Sequence, residues 1–158
     1  MPHPPPPDAH PFDALVQLMR TLRGPDGCPW DKEQDLDSLK AYAVEEVHEL
    51  LDAIESRDVG SHRDELGDVL LQIVFQSQIR WEEGAFDAYD VCRAITAKML
   101  RRHPHVFGDE QADSAAGGRA SWERVKAQER ASRGEVRSVL AGIPRSLPSL
   151  LLPLPSGY

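Results

Sequence analysis

The segment from Val44 to Leu70 most constrains the fold, because apolar residues recur at helical spacing on both sides of a short interruption. The interruption, "SRDVGSH" at residues 56–62, combines glycine, serine and aspartate as turns commonly do. Two helices joined by so short a turn fold back antiparallel to each other. The sequence therefore predicts a helical hairpin in this segment.

Among the acids of the two predicted helices, five lie beside the leucines and valines and are called here the five acids of the hairpin: Glu45, Glu46, Glu49, Glu65 and Asp68. Residues three or four apart on a helix share a face, so each helix carries at least one acidic pair. Because a helix rises about 1.5 Å per residue, the two acidic groups lie at similar distances from the turn along their helix axes. We therefore expect the five carboxylates to face one another across the hairpin.

An acidic pair on a helix is usually a solvated surface, but two features of this hairpin argue against that interpretation. Glu46 and Glu65 lie at the margins of apolar stripes, and no lysine or arginine lies one turn away within either acidic group. Like charges at this spacing destabilise one another unless a cation lies between them. Because hard divalent ions prefer oxygen ligands, the pattern predicts a Mg²⁺ site, with Mn²⁺ as the expected substitute.

A di-iron carboxylate bundle is a rival interpretation of the same acids. Such bundles use a Glu-x-x-His motif on each of two helices, and Glu45-x-x-His48 supplies one copy. The second copy is missing, because Asp68 follows Glu65 where a histidine would be required. Ligands that are all oxygen suit Mg²⁺ or Mn²⁺ better than iron.

The rest of the chain also follows helical periodicity, and no segment shows the sustained alternation of a strand. The fold is therefore predicted to be all-α, with the helices packed as a bundle. Glycine and proline mark loops at 24–34 and 103–118. The predicted helices cover residues 12–23, about 37 to 55, about 63–83, 88–102 and 120–133.

Composition limits the partners and the cellular compartment that we expect for this chain. The formal net charge of −8 argues against a nucleic-acid polymer as partner, and no apolar run is long enough to cross a membrane. Two widely separated cysteines indicate free thiols in a reducing cytoplasm. Proline-rich sequence predicts a disordered tail at 1–11 and an extended arm at 136–158, flanking one domain at 12–135.

Basic residues near the end of the fourth predicted long helix suggest a site for phosphate. Arg101 and Arg102 follow Lys98 by three and four residues, which places three cations on one helical face. They could complement the helix dipole or clamp a polyphosphate. Trp122 and Lys126, one turn apart, could stack a base and contact phosphate, although a lone tryptophan is more often part of a core. The histidines of "HPH" at 103–105 are expected to cap the helix end or pack locally.

These elements together resemble the MazG family of nucleoside triphosphate pyrophosphohydrolases. The resemblance rests on "GCPWDKEQ" (27–34), the Glu-Glu-x-x-Glu and Glu-x-x-Asp motifs, "KMLRRHPHVFGD" (98–109), "WERVKAQER" (122–130) and "GIPRSLPSLL" (142–151). It implies an all-α fold completed by dimerisation or a larger assembly, and Mg²⁺-dependent cleavage of a nucleoside triphosphate to monophosphate and pyrophosphate. It further implies roles for the motif residues: metal ligation by Glu46, Glu49, Glu65 and Asp68, a water-activating role for Glu45, and substrate binding by Lys98, Arg102, Trp122 and Lys126.

Two departures bear on what this chain does. Related proteins often have an asparagine two residues before the helical lysine, where this chain has Thr96. The chain is also similar to the first of two domain copies that many members carry, and such copies need not be equally active. The leading hypothesis is a cytoplasmic house-cleaning enzyme that removes surplus or non-standard nucleoside triphosphates. The alternative is a catalytically weak module that binds nucleotide or metal and regulates a partner.

Overall fold

The computed structural model describes residues 3–132, and the predicted C-terminal arm at 136–158 lies outside them. Within this range every regular element is an α-helix, as the sequence predicts. The described helices are α1 (Pro11–Arg23), α2 (Pro29–Glu33), α3 (Leu39–Ser56), α4 (Val59–Glu82), α5 (Ala88–Arg102), α6 (Pro104–Phe107) and α7 (Ala115–Ser132).

Helix boundaries follow local capping, and this explains where the predicted limits were wrong. Helix α5 has the predicted bounds, whereas α4 begins four residues before the predicted Arg63. The Asp58 side chain accepts a hydrogen bond from the Ser61 backbone N–H at 2.7 Å, which caps the earlier start. Helix α7 begins five residues before the predicted Ala120, because the Ser114 hydroxyl accepts from the Gly117 N–H at 3.1 Å.

Both predicted loops contain one short helix that the glycine and proline content concealed. Helix α2 lies within 24–34 and α6 lies within 103–118. Each begins with a proline, whose fixed φ suits the first helical turn and whose missing N–H costs nothing there. Proline in these segments therefore marks the start of a helix as well as the end of the preceding one.

The chain divides into two compact units, the first ending at Ala97. In the first unit, α4 packs against both α3 and α1. Its core is formed by apolar residues from α1, α3, α4 and the start of α5: Val16, Met19, Leu39, Val74, Phe75, Ile79 and Ala88. An ion pair between Arg23 and Glu82, 2.7 Å apart, joins the ends of α1 and α4 at the edge of this core.

The predicted hairpin is confirmed, but its apolar stripes are not fully buried within the chain. Arg57 adopts a left-handed conformation at the end of α3, and α4 starts two residues later. Seven aliphatic side chains of the hairpin are between 38% and 53% exposed: Val44, Val47, Leu51, Ile54, Leu66, Leu70 and Ile73. Helix α4 thus has one apolar face in the core and further apolar residues that the described part of the chain leaves partly exposed.

The second unit begins at Lys98 and, within the described residues, contains the end of α5, α6 and α7. Helix α6 packs against α7, and Arg101 and Arg102 at the end of α5 form ion pairs with Glu129 on α7. None of the described helices combines the length and the apolar character that a membrane span requires.

Candidate metal centre and phosphate-binding residues

Three of the predicted metal ligands come together in the first unit. Glu46 and Glu49 on α3 and Glu65 on α4 each place a carboxylate oxygen within 4.8 Å of the others. The spacing of three residues puts Glu46 and Glu49 on one face of α3, and the short connection at Arg57–Asp58 brings α4 alongside that face. Three carboxylates at this separation are close enough to share one cation.

The remaining two acids of the hairpin lie at the margin of this group. Asp68, one turn along α4 from Glu65, is exposed and is not among the three converging carboxylates. Its charge nevertheless acts on both Glu46 and Glu65. Glu45 is exposed, and its charge has a smaller effect on Glu46 than the charges of Asp68, Glu49 or Glu65.

The electrostatics of the group are those of acids without a counter-ion. Partial burial raises the pKa of Glu46, and the charges of Asp68 and Glu49 raise that pKa further. Burial also raises the pKa of Glu65, followed by repulsion from Glu49 and Asp68. Within residues 3–132, no lysine or arginine forms an ion pair with any of the five acids of the hairpin. No ion pair with a described residue therefore compensates the charge on the group.

One carboxylate oxygen of Glu65 also lacks a partner. Its Oε2 atom is buried and has no hydrogen-bond partner among the described residues. A buried carboxylate oxygen without a donor is costly, because it loses water without gaining a partner. A divalent cation bound by oxygen ligands would satisfy this atom, so the residues present fit Mg²⁺ or Mn²⁺.

An open groove of about 420 Å³ adjoins the acids and extends toward the connection between α3 and α4. Sequence reasoning did not single out Asp52, Ser56 or Ser61, which line this groove together with Glu49 and Glu65. The three-residue spacing between Glu49 and Asp52 could have indicated the first of them. The sequence predicts only a turn at the two serines, and no local pattern distinguishes a turn residue from one that lines a groove.

The predicted phosphate-binding cations belong to the second unit and have unlike surroundings. Lys98 is half-buried and forms no ion pair with any other described residue. Arg101 donates from Nε to Glu129 Oε1 at 3.0 Å, and its Nη2 lies 2.9 Å from the same oxygen. Arg102 donates to Glu129 Oε2 from Nε at 3.0 Å and from Nη2 at 2.7 Å. Sequence reasoning missed Glu129, which lies 27 residues beyond Arg102.

Trp122 is partly buried and already has neighbours on its ring. The Arg102 guanidinium lies 5.0 Å from the ring centroid, and the His103 ring meets it edge-on at 5.0 Å. His103 Nδ1 is 2.7 Å from the Met99 carbonyl oxygen, which confirms the predicted local packing of that histidine. Lys126 lies 3.8 Å from Glu123 and is about 39% exposed. The structure thus groups Arg102, Trp122 and His103, with Lys126 one turn further along α7.

A family model, the MazG nucleotide pyrophosphohydrolase domain, matches residues 34–107. The chain carries a MazG domain. It is 49% identical over 141 residues to a nucleoside triphosphate pyrophosphohydrolase of Escherichia coli K12, covering 89% of this chain and 53% of that protein. It is 47% identical to a nucleoside triphosphate pyrophosphohydrolase/pyrophosphatase MazG of Thermotoga maritima, covering 80% and 48% respectively. The chain therefore spans about half the length of these curated relatives.

The fold is likewise that of a solved MazG-related structure. A crystal structure of a mazG-related protein from Thermotoga maritima aligns with a TM-score of 0.60 at 22% identity, covering 73% of this chain and 98% of that one. The MazG match at 34–107 contains all five acids of the hairpin and the cations of α5, whereas Trp122, Lys126 and Glu129 lie beyond it.

Proposed function

We propose that this chain hydrolyses nucleoside triphosphates to the monophosphate and pyrophosphate, using Mg²⁺ held by Glu46, Glu49, Glu65 and Asp68. The observation that carries the proposal is the convergence of three carboxylates without a counter-ion, one with a buried, unpartnered oxygen. The relatives named as nucleoside triphosphate pyrophosphohydrolases support the choice of reaction.

The acids of the hairpin supply most of the proposed chemistry. When bound, Mg²⁺ would lower the pKa of a water molecule and neutralise charge that develops on the polyphosphate. Glu45 is the proposed general base, since an exposed carboxylate beside the ligands can accept the proton of the attacking water. The water oxygen then forms a bond to the α-phosphorus, and the bond from that phosphorus to the bridging oxygen breaks in line, releasing pyrophosphate.

Substrate binding is assigned to the cations and the tryptophan of the second unit. Lys98, Arg101, Arg102 and Lys126 are proposed to contact phosphate oxygens, because ionised donors form the stronger hydrogen bonds to such groups. Trp122 is proposed to contact the nucleoside with the part of its ring that Arg102 and His103 leave accessible. We infer a nucleotide-pool house-cleaning role in the cytoplasm from this reaction.

A homodimer or tetramer is part of the proposal, and the uncovered apolar side chains of the hairpin support it. Apolar patches of this kind on a soluble protein commonly mark protein–protein contacts. Leu70→Lys should shift the mass measured by light scattering toward the monomer, because a lysine at the centre of an apolar contact must be desolvated. Leu100→Lys, at an exposed leucine of the second unit, is the control. An unchanged assembly in Leu70→Lys would remove the hairpin face from the interface.

The activity is tested with a panel of standard, deoxy and damaged nucleoside triphosphates, assayed with Mg²⁺ and with chelator. We expect Mg²⁺-dependent formation of monophosphate and pyrophosphate in equal amounts. Release of orthophosphate instead would contradict attack at the α-phosphorus. The absence of turnover on every triphosphate would contradict hydrolysis as a whole.

The regulatory module is retained as a second candidate, because the carboxylate of Asp68 does not converge with the other three acids. Glu45→Gln distinguishes the two functions. For an enzyme it should slow turnover about 10²-fold or more while Mg²⁺ still binds. For a binding module it should change neither metal nor nucleotide affinity. Glu55→Gln, the same charge change at an exposed position of α3, is the matched control.

A further inference from the structure

Glu129 is the acid that faces the predicted phosphate-binding arginines in the second unit. Each of its oxygens accepts hydrogen bonds from a different guanidinium, Oε1 from Arg101 and Oε2 from Arg102. Its side chain is 14% exposed, and that of Arg102 is 16% exposed. Two largely buried charges in such contact form a fixed arrangement, in contrast to a solvated surface pair.

The orientation of Arg102 is determined by two neighbours at once. Its Nε and Nη2 atoms donate to Glu129, and its guanidinium lies over Trp122 with 5.0 Å to the ring centroid. The Nη1 atom has no hydrogen-bond partner among the described residues. A guanidinium has five N–H donors in a rigid plane, so fixing one edge also fixes the direction in which the remaining donors point.

The arginines and Glu129 together have a net positive formal charge, which favours binding of an anion. One carboxylate is shared by two guanidinium groups, so the three side chains keep a formal charge of +1, and Lys98 lies one turn before Arg102 on α5. Arg101 and Arg102 lower the pKa of Glu129, so the acid stays ionised at neutral pH. The side chains of Arg101, Arg102, Glu129 and Lys98, taken by themselves, therefore have a net positive formal charge that favours a phosphate group.

We propose that Glu129 is a positioning residue for phosphate binding, which holds Arg102 against Trp122 so that its free donors meet the polyphosphate. The inference rests on the proposed function, because it assumes that the arginines contact phosphate. The opposite role is that Glu129 competes with phosphate for the arginines. The two roles predict opposite signs when the carboxylate is removed.

The test measures binding of inorganic tripolyphosphate by titration calorimetry, together with kcat and KM for a triphosphate. Glu129→Gln keeps the shape of the side chain, but its amide NH₂ faces one of the arginines and cannot accept from it. Tripolyphosphate should bind roughly tenfold more weakly, and KM should rise by a similar factor with kcat little changed. Weaker binding would occur despite one more positive charge, which simple electrostatic attraction cannot explain.

A mutant cycle with Arg102→Ala separates positioning from a general structural effect. If Glu129 acts through Arg102, most of the effect of Glu129→Gln should vanish in the Arg102→Ala background. Equal weakening in both backgrounds would overturn the proposal, and so would tighter binding by Glu129→Gln. Glu110→Gln, which breaks the pair with Arg124 in the same unit, is the matched control and should leave binding unchanged.

The outcomes also separate this inference from the proposed function. Wild-type protein that binds tripolyphosphate in a manner sensitive to Glu129 but hydrolyses no triphosphate would refute the enzyme and retain the positioning role. Wild-type protein that hydrolyses triphosphates, with Glu129→Gln binding equally well, would refute the positioning role alone. Failure of the wild type to bind tripolyphosphate would also overturn it. Thermal unfolding of each variant identifies any loss of folded protein.

Discussion

The five acids of the α3–α4 hairpin and Glu129 of α7 have opposite electrostatic surroundings. Glu46 and Glu65 lie among other carboxylates, and both burial and repulsion raise their pKa values. Glu129 lies between two guanidinium groups, which lower its pKa. The direction of the pKa shift thus distinguishes two kinds of acid. A raised pKa marks acids that need an added cation, and a lowered pKa marks an acid that arginines of the chain neutralise.

This difference identifies what each region contributes. Like-charged acids held together lower the stability of the metal-free fold, so such a group is expected where binding a cation serves function. A paired acid stabilises its arginines and fixes their direction. The first arrangement suits metal binding, whereas the second suits orientation of a cation for an anionic ligand.

The largest expected effect comes from neutralising a ligand. Glu49→Gln should reduce Mg²⁺-dependent turnover by about 10³-fold or more, because one of three converging carboxylates loses its charge. Helical content, measured by circular dichroism, should be unchanged because Glu49 is exposed. Full activity in this variant would remove Glu49 from the ligand set.

The second effect concerns Lys98 in the other region, which forms no ion pair with any described residue. Lys98→Ala should raise KM for a triphosphate by about tenfold and change kcat less, since a charge-assisted contact to phosphate is lost. No paired acid is left behind in the described part of the chain, so unfolding should change little. Lys40→Ala, at an exposed lysine of α3, serves as the control. An unchanged KM would exclude Lys98 from the phosphate contacts.

Much of the fold and the acidic group was predictable because short-range rules determine them. Spacings of three and four residues place Glu46 beside Glu49, and a two-residue connection brings Glu65 alongside. The bounds of α5 follow from its apolar periodicity in the same way. In each case residues close in sequence determine the geometry.

The remaining features depend on contacts that no local pattern encodes. Glu129 reaches Arg102 across 27 residues of intervening chain, and it looks like a solvated acid on a highly charged helix in the sequence. The exposure of Leu70 and Ile73 has the same cause, because periodicity marks a face as apolar without saying what covers it. Trp122 could be called core or ligand contact from sequence, and only the structure shows Arg102 on its ring.

A substitution at Glu82 tests whether an ion pair with arginine, rather than the unit in which an acid lies, determines its effect on stability. Glu82 belongs to the same unit as the acidic group, yet Arg23 and Gln78 donate to it, and the Arg23 bonds lower its pKa most. Glu82→Gln should lower the free energy of unfolding by about 1 kcal/mol at pH 7, after allowance for solvent screening.

The sign of the pH dependence follows from the lowered pKa of Glu82. A depressed carboxyl pKa stabilises the fold above its ordinary value of 4.5, and this stabilisation is lost as pH falls through the lowered value. The difference between wild type and Glu82→Gln should therefore be full at pH 7 and shrink in acid, as measured by urea denaturation. A difference that grows in acid would contradict the assignment of this ion pair.

The smallest expected effect is a gain in stability from neutralising Glu46 in the absence of metal. Burial and the charges of Asp68 and Glu49 oppose its ionised form, so Glu46→Gln should stabilise the fold in chelator by about 0.5 kcal/mol, with screening keeping the value low. The melting temperature should rise by roughly 1–2 °C without metal. With saturating Mg²⁺ the order should reverse, because wild type gains more from the bound ion. If Glu46→Gln melts below wild type in chelator, the carboxylate has a stabilising partner and the contrast with Glu129 fails.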